Sequence, residues 1–234
     1  MQQPKKIIGI LGGMGPAVSA NFLVDVMTIA QKKYGAEQDT EFPRVYLFST
    51  ALEGFNETGF ENPDTARADL IKDAQKVASW GADFLVMPCN TVHFFAEDVM
   101  QASGIPLLSI ITATIDRVTA AGHTKVGVVS SASTRSLSLY AKALEAKGIT
   151  PIIASDDEQK VLDGVILSVM SGKQGTVEQA AMVSIIERMK NEGAESIILG
   201  CTELPLAINQ NQSPLPVWNT ISILAEKAVD ESYR

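Results

Sequence analysis

Hydrophobic and polar positions divide the chain into two alternating kinds of segment. Short runs of apolar and β-branched residues recur, separated by amphipathic stretches of helical period. The strand-like runs are KIIGILG, RVYLFS, DFLVM, PLLSI, KVGVVS, TPIIAS, SIILG and LPVW. Apolar strands that alternate with helices are typical of parallel sheets covered on both faces. The pattern therefore predicts an α/β protein with parallel sheets.

Parts of the sequence repeat one another. GADFLVMPCNT begins at Gly81 and GAESIILGCTE begins at Gly193, with a cysteine at the same offset in each. KIIGILGG and KVGVVSS also correspond. The repeats predict two pseudosymmetric parallel-sheet domains whose strand carboxyl ends face one cleft, the place where open α/β sheets bind ligands. Because connections between elements in compact domains are usually short, we place the first half at residues 1–112 and 214–234 and the second at 113–213.

Composition and charge narrow the expected partners. The 234-residue chain carries 27 acidic and 19 basic residues without a basic stripe, so we expect no nucleic-acid partner. No apolar run approaches the roughly 18 residues of a membrane helix, so we expect no membrane partner. The N-terminal segment imitates a signal peptide, but Gly-Gly-Met-Gly-Pro interrupts its apolar core. We therefore expect a cytoplasmic protein.

The chain has two cysteines, Cys89 and Cys201, and each lies between a predicted strand and a predicted helix. Their spacing fits neither a disulfide framework nor a zinc ribbon, and no His or Cys cluster predicts a metal site. Free amides and the positive end of a helix favour a reactive thiolate. A small buried cysteine is the alternative, but the matched pair favours a functional site.

Two matched thiols permit several chemistries. A redox pair is disfavoured because the CxxC spacing is absent. A nucleophilic Cys89 needs a base, and His93 is one helical turn away. The matching position in the second half is Pro205, so a local hydrogen bond is the favoured interpretation of His93. A symmetric acid/base pair suits removal of a proton from one face of a stereocentre and delivery of a proton to the other.

The glycine-rich loop GILGGMGP raises a dinucleotide-binding alternative. Its spacing is G-x-x-G-G-x-G rather than G-x-G-x-x-G, and no acidic residue ends RVYLFS to hold a ribose. NAD binding is therefore disfavoured. A small carboxylate needs only a few convergent amides at a helix start, which this loop can offer.

Four motifs, in the order IGILGGMGP, MPCNTVH, DEQK and LGCTELPL, carry a family resemblance over nearly the whole chain. The chain resembles the aspartate/glutamate/hydantoin racemase superfamily, and most closely its PLP-independent aspartate racemase branch. The resemblance implies a homodimer, a small amino-acid or carboxylate substrate, no cofactor, and Cys89 and Cys201 as catalytic acid/base residues. It also implies substrate-binding roles for Met14, Ser49, Asn90, Thr91, Thr134 and Thr202.

The chain departs from the family pattern at two expected cations. The loop STALEGFNETGFENP lacks the usual arginine, and Met170 occupies the position of a usual lysine. Burying a dicarboxylate without a cation is costly, so we expect aspartate to be a weak substrate. Arg135, beside Thr134, is the candidate replacement cation, and its alternative is a solvent-facing residue.

The sequence is compatible with other activities. The same cleft serves hydantoin racemisation, maleate isomerisation and malonate decarboxylation in superfamily relatives. A non-catalytic homologue that binds a small ligand is the alternative from another class. The sequence favours a cofactor-independent amino-acid racemase.

Overall fold

The computed structural model describes residues 3–56 and 59–234. These residues form two compact units. The first unit comprises Met1–Asn56, Phe60–Ala113 and Ile221–Arg234, and the second is built on Thr114–Thr220. Within the described ranges, no helix combines the length and hydropathy that crossing a membrane requires.

The first unit contains the elements of the N-terminal repeat. Its strands are β1 (Ile8–Gly12), β2 (Val45–Ser49), β3 (Phe55–Asn56), β5 (Phe84–Val86) and β6 (Leu107–Leu108), together with Phe60 of the two-residue strand β4 (Gly59–Phe60). Its helices are α1 (Pro16–Ile29), α2 (Pro63–Ser79) and α3 (Ala96–Ser103). The chain passes to the second unit within α4 (Ile110–Ala120).

The second unit contains the C-terminal repeat. Its strands are β7 (Lys125–Ser130), β8 (Thr150–Ile153), β9 (Ser196–Gly200) and β10 (Val217–Asn219). Its helices are α5 (Ala132–Ser136), α6 (Leu139–Glu145), α7 (Asp156–Met170), α8 (Thr176–Asn191) and α9 (Leu204–Ala207). The final helix, α10 (Thr220–Ser232), carries the chain back into the first unit.

The two main sheets share one topology. Their strand orders are β2-β1-β5-β6 and β8-β7-β9-β10, and the strands are parallel. In each sheet the first strand lies between the second and the third. Gly9 pairs with Leu85 in one sheet, and Gly127 pairs with Ile197 in the other. The predicted α/β class with two similar parallel-sheet domains is confirmed.

The two matched glycines lie where a helix packs directly on the sheet. A Cβ added to Gly9 would lie 2.7 Å from a Val77 methyl carbon of α2. One added to Gly127 would lie 2.8 Å from the Met189 sulfur of α8. A residue without a side chain is therefore required for close helix–strand packing at the same place in each repeat.

Hydrophobic clusters cover both faces of the first sheet. Side chains alternate between faces along a strand, so Ile8 and Ile10 join one cluster, with α1 and α10, while Leu11 joins another, with α2 and α3. Burial on both sides explains why the strands are apolar throughout rather than alternating. In the second unit, Val129 and Ile197 join a cluster with α7 and α8.

The chain returns to the first unit after its last strand. β10 pairs with β9, with Trp218 opposite Ile198, so it belongs to the second sheet. Residues 214–220, which the sequence analysis assigned to the first half, lie in the second unit by their contacts. From Ile221 onward, α10 packs into the core of the first unit through side chains such as Leu224 and Val229.

Candidate active site

In each sheet the order of strands creates a switch point between the first and third strands. Connections leave the first strand toward opposite sides, and ligands bind at the carboxyl ends beside such a point. In the first unit these strands are β1 and β5, followed by the glycine loop and Cys89. In the second they are β7 and β9, followed by α5 and by Cys201 respectively. Each cysteine thus lies at the switch point of its own sheet.

The glycine loop of the first unit is fixed by its neighbours. Gly13 has φ +101°, and a Cβ there would lie 2.7 Å from the Thr50 amide nitrogen, so only glycine fits. The Gly13 amide donates to the Ser19 hydroxyl at 2.8 Å. Met14 is buried and shares a hydrophobic cluster with Cys89. The structure therefore brings Met14 and Cys89 to the same end of the first sheet.

The segment after Cys89 differs from the predicted helix. Asn90 and Thr91 are buried, but Thr91–Phe95 form a 3₁₀ turn and α3 begins only at Ala96. The tight turn places Thr91, Val92, His93 and Phe95 in the interior together. A single 3₁₀ turn aligns fewer peptide dipoles than a long α-helix, so any stabilisation of a thiolate here depends on local amides and side chains.

His93 is held by two backbone groups. Its Nδ1 donates to the Cys89 carbonyl at 2.8 Å, and its Nε2 accepts from the Ile110 amide at 3.1 Å. Burial lowers the pKa of His93 from 6.5 to about 4, against the opposing effect of carbonyls at Cys89 and Leu108. His93 is therefore neutral at pH 7 with both nitrogens engaged. The local hydrogen bond expected from the sequence is confirmed.

Ser49 is set apart from the buried site residues of the first unit. It ends β2, opposite Gly12 in the register, and its side chain is exposed. The next residue, Thr50, is buried, and its hydroxyl donates to the Asp73 carboxylate at 2.5 Å. Within the loop that follows, Glu57 and Thr58 lie outside the described residues.

In the second unit, the residues before Cys201 are closely packed. Ser131 caps α5 by accepting from the Thr134 amide at 3.3 Å, and Thr134 is buried. A Cβ added to Gly200 would lie 3.0 Å from the Tyr140 ring and 3.1 Å from Ser130. The end of β9, just before Cys201, therefore packs closely against Ser130 of β7 and against the Tyr140 ring.

The Cys201 thiol has a carboxylate partner. Its Sγ donates to Oε2 of Glu203 at 3.0 Å, and the Thr202 hydroxyl donates to the same oxygen at 2.7 Å. All three residues are buried, with Glu203 only 6% exposed. Burial raises the pKa of Tyr140, against hydrogen bonds with Thr114 and Thr220, so this neighbouring phenol stays protonated. Only one turn of helix, α9, follows the motif.

Arg135 is already paired within its own unit. Its Nη2 donates to Oδ1 of Asp156 at 2.7 Å, and 31% of the arginine side chain is exposed. The ion pair lowers the pKa of Asp156. Arg135 also lines a cavity of about 300 Å³. Other residues that line the cavity are Ser130, Thr134, Ser136, Ser138 and Tyr140.

Helix α7 contributes a buried amide and an exposed methionine. Gln159 donates from Nε2 to the Ser130 carbonyl at 3.0 Å and to Asp163 at 2.9 Å. Among the described residues its Oε1 is buried without a hydrogen-bond partner. Met170, the last residue of α7, is 43% exposed.

Sequence reasoning assigned no role to three residues that contact these loops: Glu203, Gln159 and Tyr140. A signal for Glu203 existed, since it occupies the GCTE repeat where the first half has Thr91. Gln159 belongs to the DEQK motif. Tyr140 carried no sequence signal, because only tertiary packing brings it to Gly200. In the part of the chain that the structure describes, no cluster of three or more His, Cys, Asp or Glu could hold a metal ion.

The paired α/β units with a cysteine at each switch point define a class of proteins, and comparison with known sequences gives the same class. The family described as Asp/Glu/Hydantoin racemase matches residues 11–228, and the chain belongs to this family. The broad specificity amino-acid racemase RacX of Bacillus subtilis is 29% identical over 223 residues, covering 95% of this chain and 96% of the relative.

Solved structures agree with this assignment. An aspartate racemase homologue from Pyrococcus horikoshii is 27% identical with a TM-score of 0.84, covering 98% of this chain and 100% of that chain. The aspartate racemase of Picrophilus torridus shares the fold, with 24% identity, a TM-score of 0.82, and coverage of 97% and 94%. The resemblance inferred from the four sequence motifs is confirmed.

Proposed function

We propose that the protein is a cofactor-independent amino-acid racemase in which Cys89 and Cys201 act as opposed acid and base. One observation carries the proposal: the two thiols occupy equivalent positions in two sheets of the same topology. The strand residues that pair with the matched glycines are Leu85 and Ile197. Cys89 follows Leu85 by the same number of residues as Cys201 follows Ile197. A reaction that needs the same chemical group on both sides of a stereocentre accounts for this duplication.

The proposed reaction moves one proton onto a sulfur and another off a sulfur. One cysteine thiolate takes the α-proton, and the C–H electron pair passes into a planar carbanion delocalised over the carboxylate. The opposite thiol then gives its proton to the other face of the carbon, and its S–H pair remains on sulfur as a thiolate. Each thiol is at most 9% exposed, and exclusion of water strengthens the local electrostatic interactions.

The neighbouring polar residues are proposed to hold the substrate. Asn90, Thr91 and Thr202 follow the two cysteines in sequence, Thr134 lies in α5, and all four are buried. We propose that their amides and side chains bind the α-carboxylate. We assign Met14 to the wall of the site and Ser49 to its exposed rim. We propose that Arg135 binds substrate only when its ion pair with Asp156 is broken.

The substrate class follows from the charges near these loops. Residues 49–63 contain neither Arg nor Lys, and Arg135 is committed to Asp156. A second carboxylate would have to be desolvated without a dedicated cation, which costs several kcal/mol. The matched relative RacX is named for broad specificity. We therefore propose that neutral amino acids are better substrates than aspartate or glutamate.

Proton exchange tests this function directly. The protein, dialysed against a chelator and free of pyridoxal phosphate, is incubated in D₂O with a panel of D- and L-amino acids, and ¹H NMR follows the α-proton. We expect deuterium incorporation and inversion of at least one neutral amino acid. Loss of activity on chelation that a divalent ion restores would contradict cofactor independence. Absence of exchange across the panel would favour a ligand-binding homologue.

Other reactions of the superfamily are included in the same screen. Hydantoins and maleate are offered in place of amino acids, and optical rotation and absorbance follow their conversion. Faster turnover of either compound than of every amino acid would replace the proposed substrate class. The homodimer is proposed from the family resemblance, and the cytoplasmic location from the interrupted apolar segment near the N-terminus. Sedimentation velocity of the purified chain tests the dimer.

A further inference from the structure

The two thiols have different chemical neighbours despite their equivalent positions. We propose that Glu203 keeps Cys201 protonated in the resting enzyme, so that Cys201 is the resting acid and Cys89 the resting base. This inference rests on the proposed function for its catalytic meaning. It is carried by the hydrogen bond from the Cys201 Sγ to Oε2 of Glu203 at 3.0 Å.

The geometry favours the thiol over the thiolate at Cys201. A carboxylate that accepts the S–H bond stabilises the neutral thiol and repels a thiolate. The Thr202 hydroxyl donates to the same Oε2 at 2.7 Å, which fixes the carboxylate in place. With Glu203 only 6% exposed, water screens the repulsion poorly. This contact therefore opposes loss of the Cys201 proton.

The position equivalent to Glu203 differs in the first unit. The residue that corresponds to Glu203 is Thr91, which has no carboxylate. Tyr140 also faces Cys201, but burial keeps its phenol protonated and uncharged at neutral pH. His93, one turn after Cys89, is neutral for the same reason and uses both ring nitrogens in backbone hydrogen bonds. The asymmetry between the two thiols is therefore assigned to Glu203.

Glu203 is proposed to set the protonation of the two thiols in the resting enzyme, and it does not change the equilibrium between the two enantiomers. An enantiomer whose α-proton faces Cys89 meets a base, and Cys201 then delivers its proton to the opposite face. This turnover leaves a thiol at Cys89 and a thiolate at Cys201 beside Glu203. The enzyme returns to its resting form by exchanging these protons with solvent, or by turning over the other enantiomer. Since both enantiomers have equal free energy, the ratio of the two kcat/KM values stays at one in every variant.

Alkylation of the thiols measures this protonation without requiring turnover. The native protein is treated with iodoacetamide at pH 7, and peptide mass spectrometry gives the rate of modification of each cysteine. Cys89 and Cys201 are 7% and 9% exposed, so their burial is comparable. We expect Cys89 to react at least about tenfold faster, since the thiolate is the reactive form.

Three variants test whether the Glu203 carboxylate causes the difference between the alkylation rates of the two cysteines. Glu203→Gln keeps the size of the side chain and should bring the two alkylation rates to within about threefold by accelerating Cys201. Glu203→Asp keeps the charge and should retain most of the difference. Asp157→Asn removes an exposed charge elsewhere in the second unit and should change neither rate. In the wild-type protein, alkylation of Cys201 should rise at a higher pH than that of Cys89.

Clear results would overturn the inference. Equal alkylation rates in the wild-type protein, or an unchanged ratio in Glu203→Gln, would show that Glu203 does not hold the proton on Cys201. If Glu203→Gln does not fold, the Glu203→Asp variant and the wild-type pH dependence still decide the question. If Cys89 reacts faster than Cys201 in the expected way but the protein exchanges no α-proton, the proposed racemase activity is wrong and the role of Glu203 is still supported.

Discussion

His93 is one turn from a proposed catalytic thiol, and burial determines its chemistry. Its folded pKa of about 4 lies below the ordinary value of 6.5. Between these values the unfolded chain binds a proton that the folded protein does not, so the free energy of unfolding falls as the pH drops from 6.5 toward 4. At 1.36 kcal/mol per pKa unit, the full contribution is about 3 kcal/mol.

A glutamine at position 93 removes this titration while keeping an acceptor and a donor. We expect the difference in unfolding free energy between wild type and His93→Gln to shift in favour of the variant by about 2–3 kcal/mol from pH 7.5 to pH 4.5. Urea unfolding at both pH values measures it. A difference that does not depend on pH would show that His93 titrates normally in the folded protein.

The same variant tests whether His93 takes part in proton transfer. Its two nitrogens are occupied by the Cys89 carbonyl and the Ile110 amide, so we expect kcat for a neutral substrate to fall less than about tenfold. Loss of a general base costs about 10²- to 10⁴-fold. A loss of that size in a folded His93→Gln protein would make His93 part of the chemistry.

Arg135 provides a test of substrate charge. Its ion pair with Asp156 is exposed on the aspartate side, and such pairs are weak. In Asp156→Asn the arginine is released, and we expect kcat/KM for aspartate to rise by about two- to fivefold. Asp157→Asn, which removes the neighbouring charge of α7 and its pair with Lys160, is the matched control.

The outcome for aspartate also tests the argument from missing cations. We expect wild-type turnover of aspartate to be weaker than that of the best neutral amino acid. Strong aspartate turnover that survives Arg135→Ala would mean that amides and hydroxyls alone hold both carboxylates. The proposed preference for neutral substrates would then be wrong.

The sequence repeat and the family resemblance gave candidate residues rather than their contacts. The echo between the two halves identified Cys89 and Cys201 together with their flanking residues. The contacts of Arg135 with Asp156 and of Cys201 with Glu203 depend on side-chain directions that a motif does not specify. The sequence therefore named candidate residues, and the fold determined which of them already have partners.

At the scale of elements, the two matched glycines govern helix–sheet packing. In Gly9→Ala the new Cβ would lie 2.9 Å from the Ala82 Cβ, which cannot rotate away, and 2.7 Å from Val77. We expect a loss of about 2–3 kcal/mol of unfolding free energy, near the upper end for overpacking. In Gly127→Ala the new Cβ would clash with Cδ1 of Ile197 and lie 2.8 Å from the Met189 sulfur, and both atoms belong to the far ends of side chains that can rotate. We therefore expect a smaller loss of about 1–2 kcal/mol.

Gly164 supplies the control for these substitutions. It lies inside α7, and nothing is within 4 Å of an added Cβ. Gly164→Ala should therefore stabilise the protein by about 0.5–1 kcal/mol. Chemical denaturation of the three variants decides the matter. Equal losses at Gly9 and Gly164 would show that the packing argument is wrong.

Periodicity predicted strands better than short turns. All eight strand-like runs contain observed strands. The central strands β1, β5, β7 and β9 are buried nearly throughout, which makes their runs apolar. Each cysteine was expected to precede a helix, but a 3₁₀ turn follows Cys89 and a single α-helical turn follows Cys201. Apolar side chains there fill the interior at a spacing that helical periodicity does not describe. The short strands β3 and β4 were not predicted, since two-residue strands leave no pattern.

The whole molecule is built from a repeat of one α/β unit. Two sheets with the same strand order place one thiol each at equivalent switch points. A structural cysteine has no reason to recur at that place in both repeats, whereas a two-base reaction requires it. The central claim is that each thiol serves one face of the same stereocentre.

Proton exchange by single-cysteine variants tests this claim most directly. Cys89→Ala and Cys201→Ala are incubated in D₂O with each enantiomer of the neutral amino acid that exchanges fastest, and NMR and chiral chromatography follow exchange and inversion separately. We expect both variants to lose racemisation by at least about 10³-fold. We also expect any residual α-proton exchange to be restricted to one enantiomer, with opposite preference in the two variants. Racemisation by Cys201→Ala at a rate near that of the wild type would contradict the two-base mechanism.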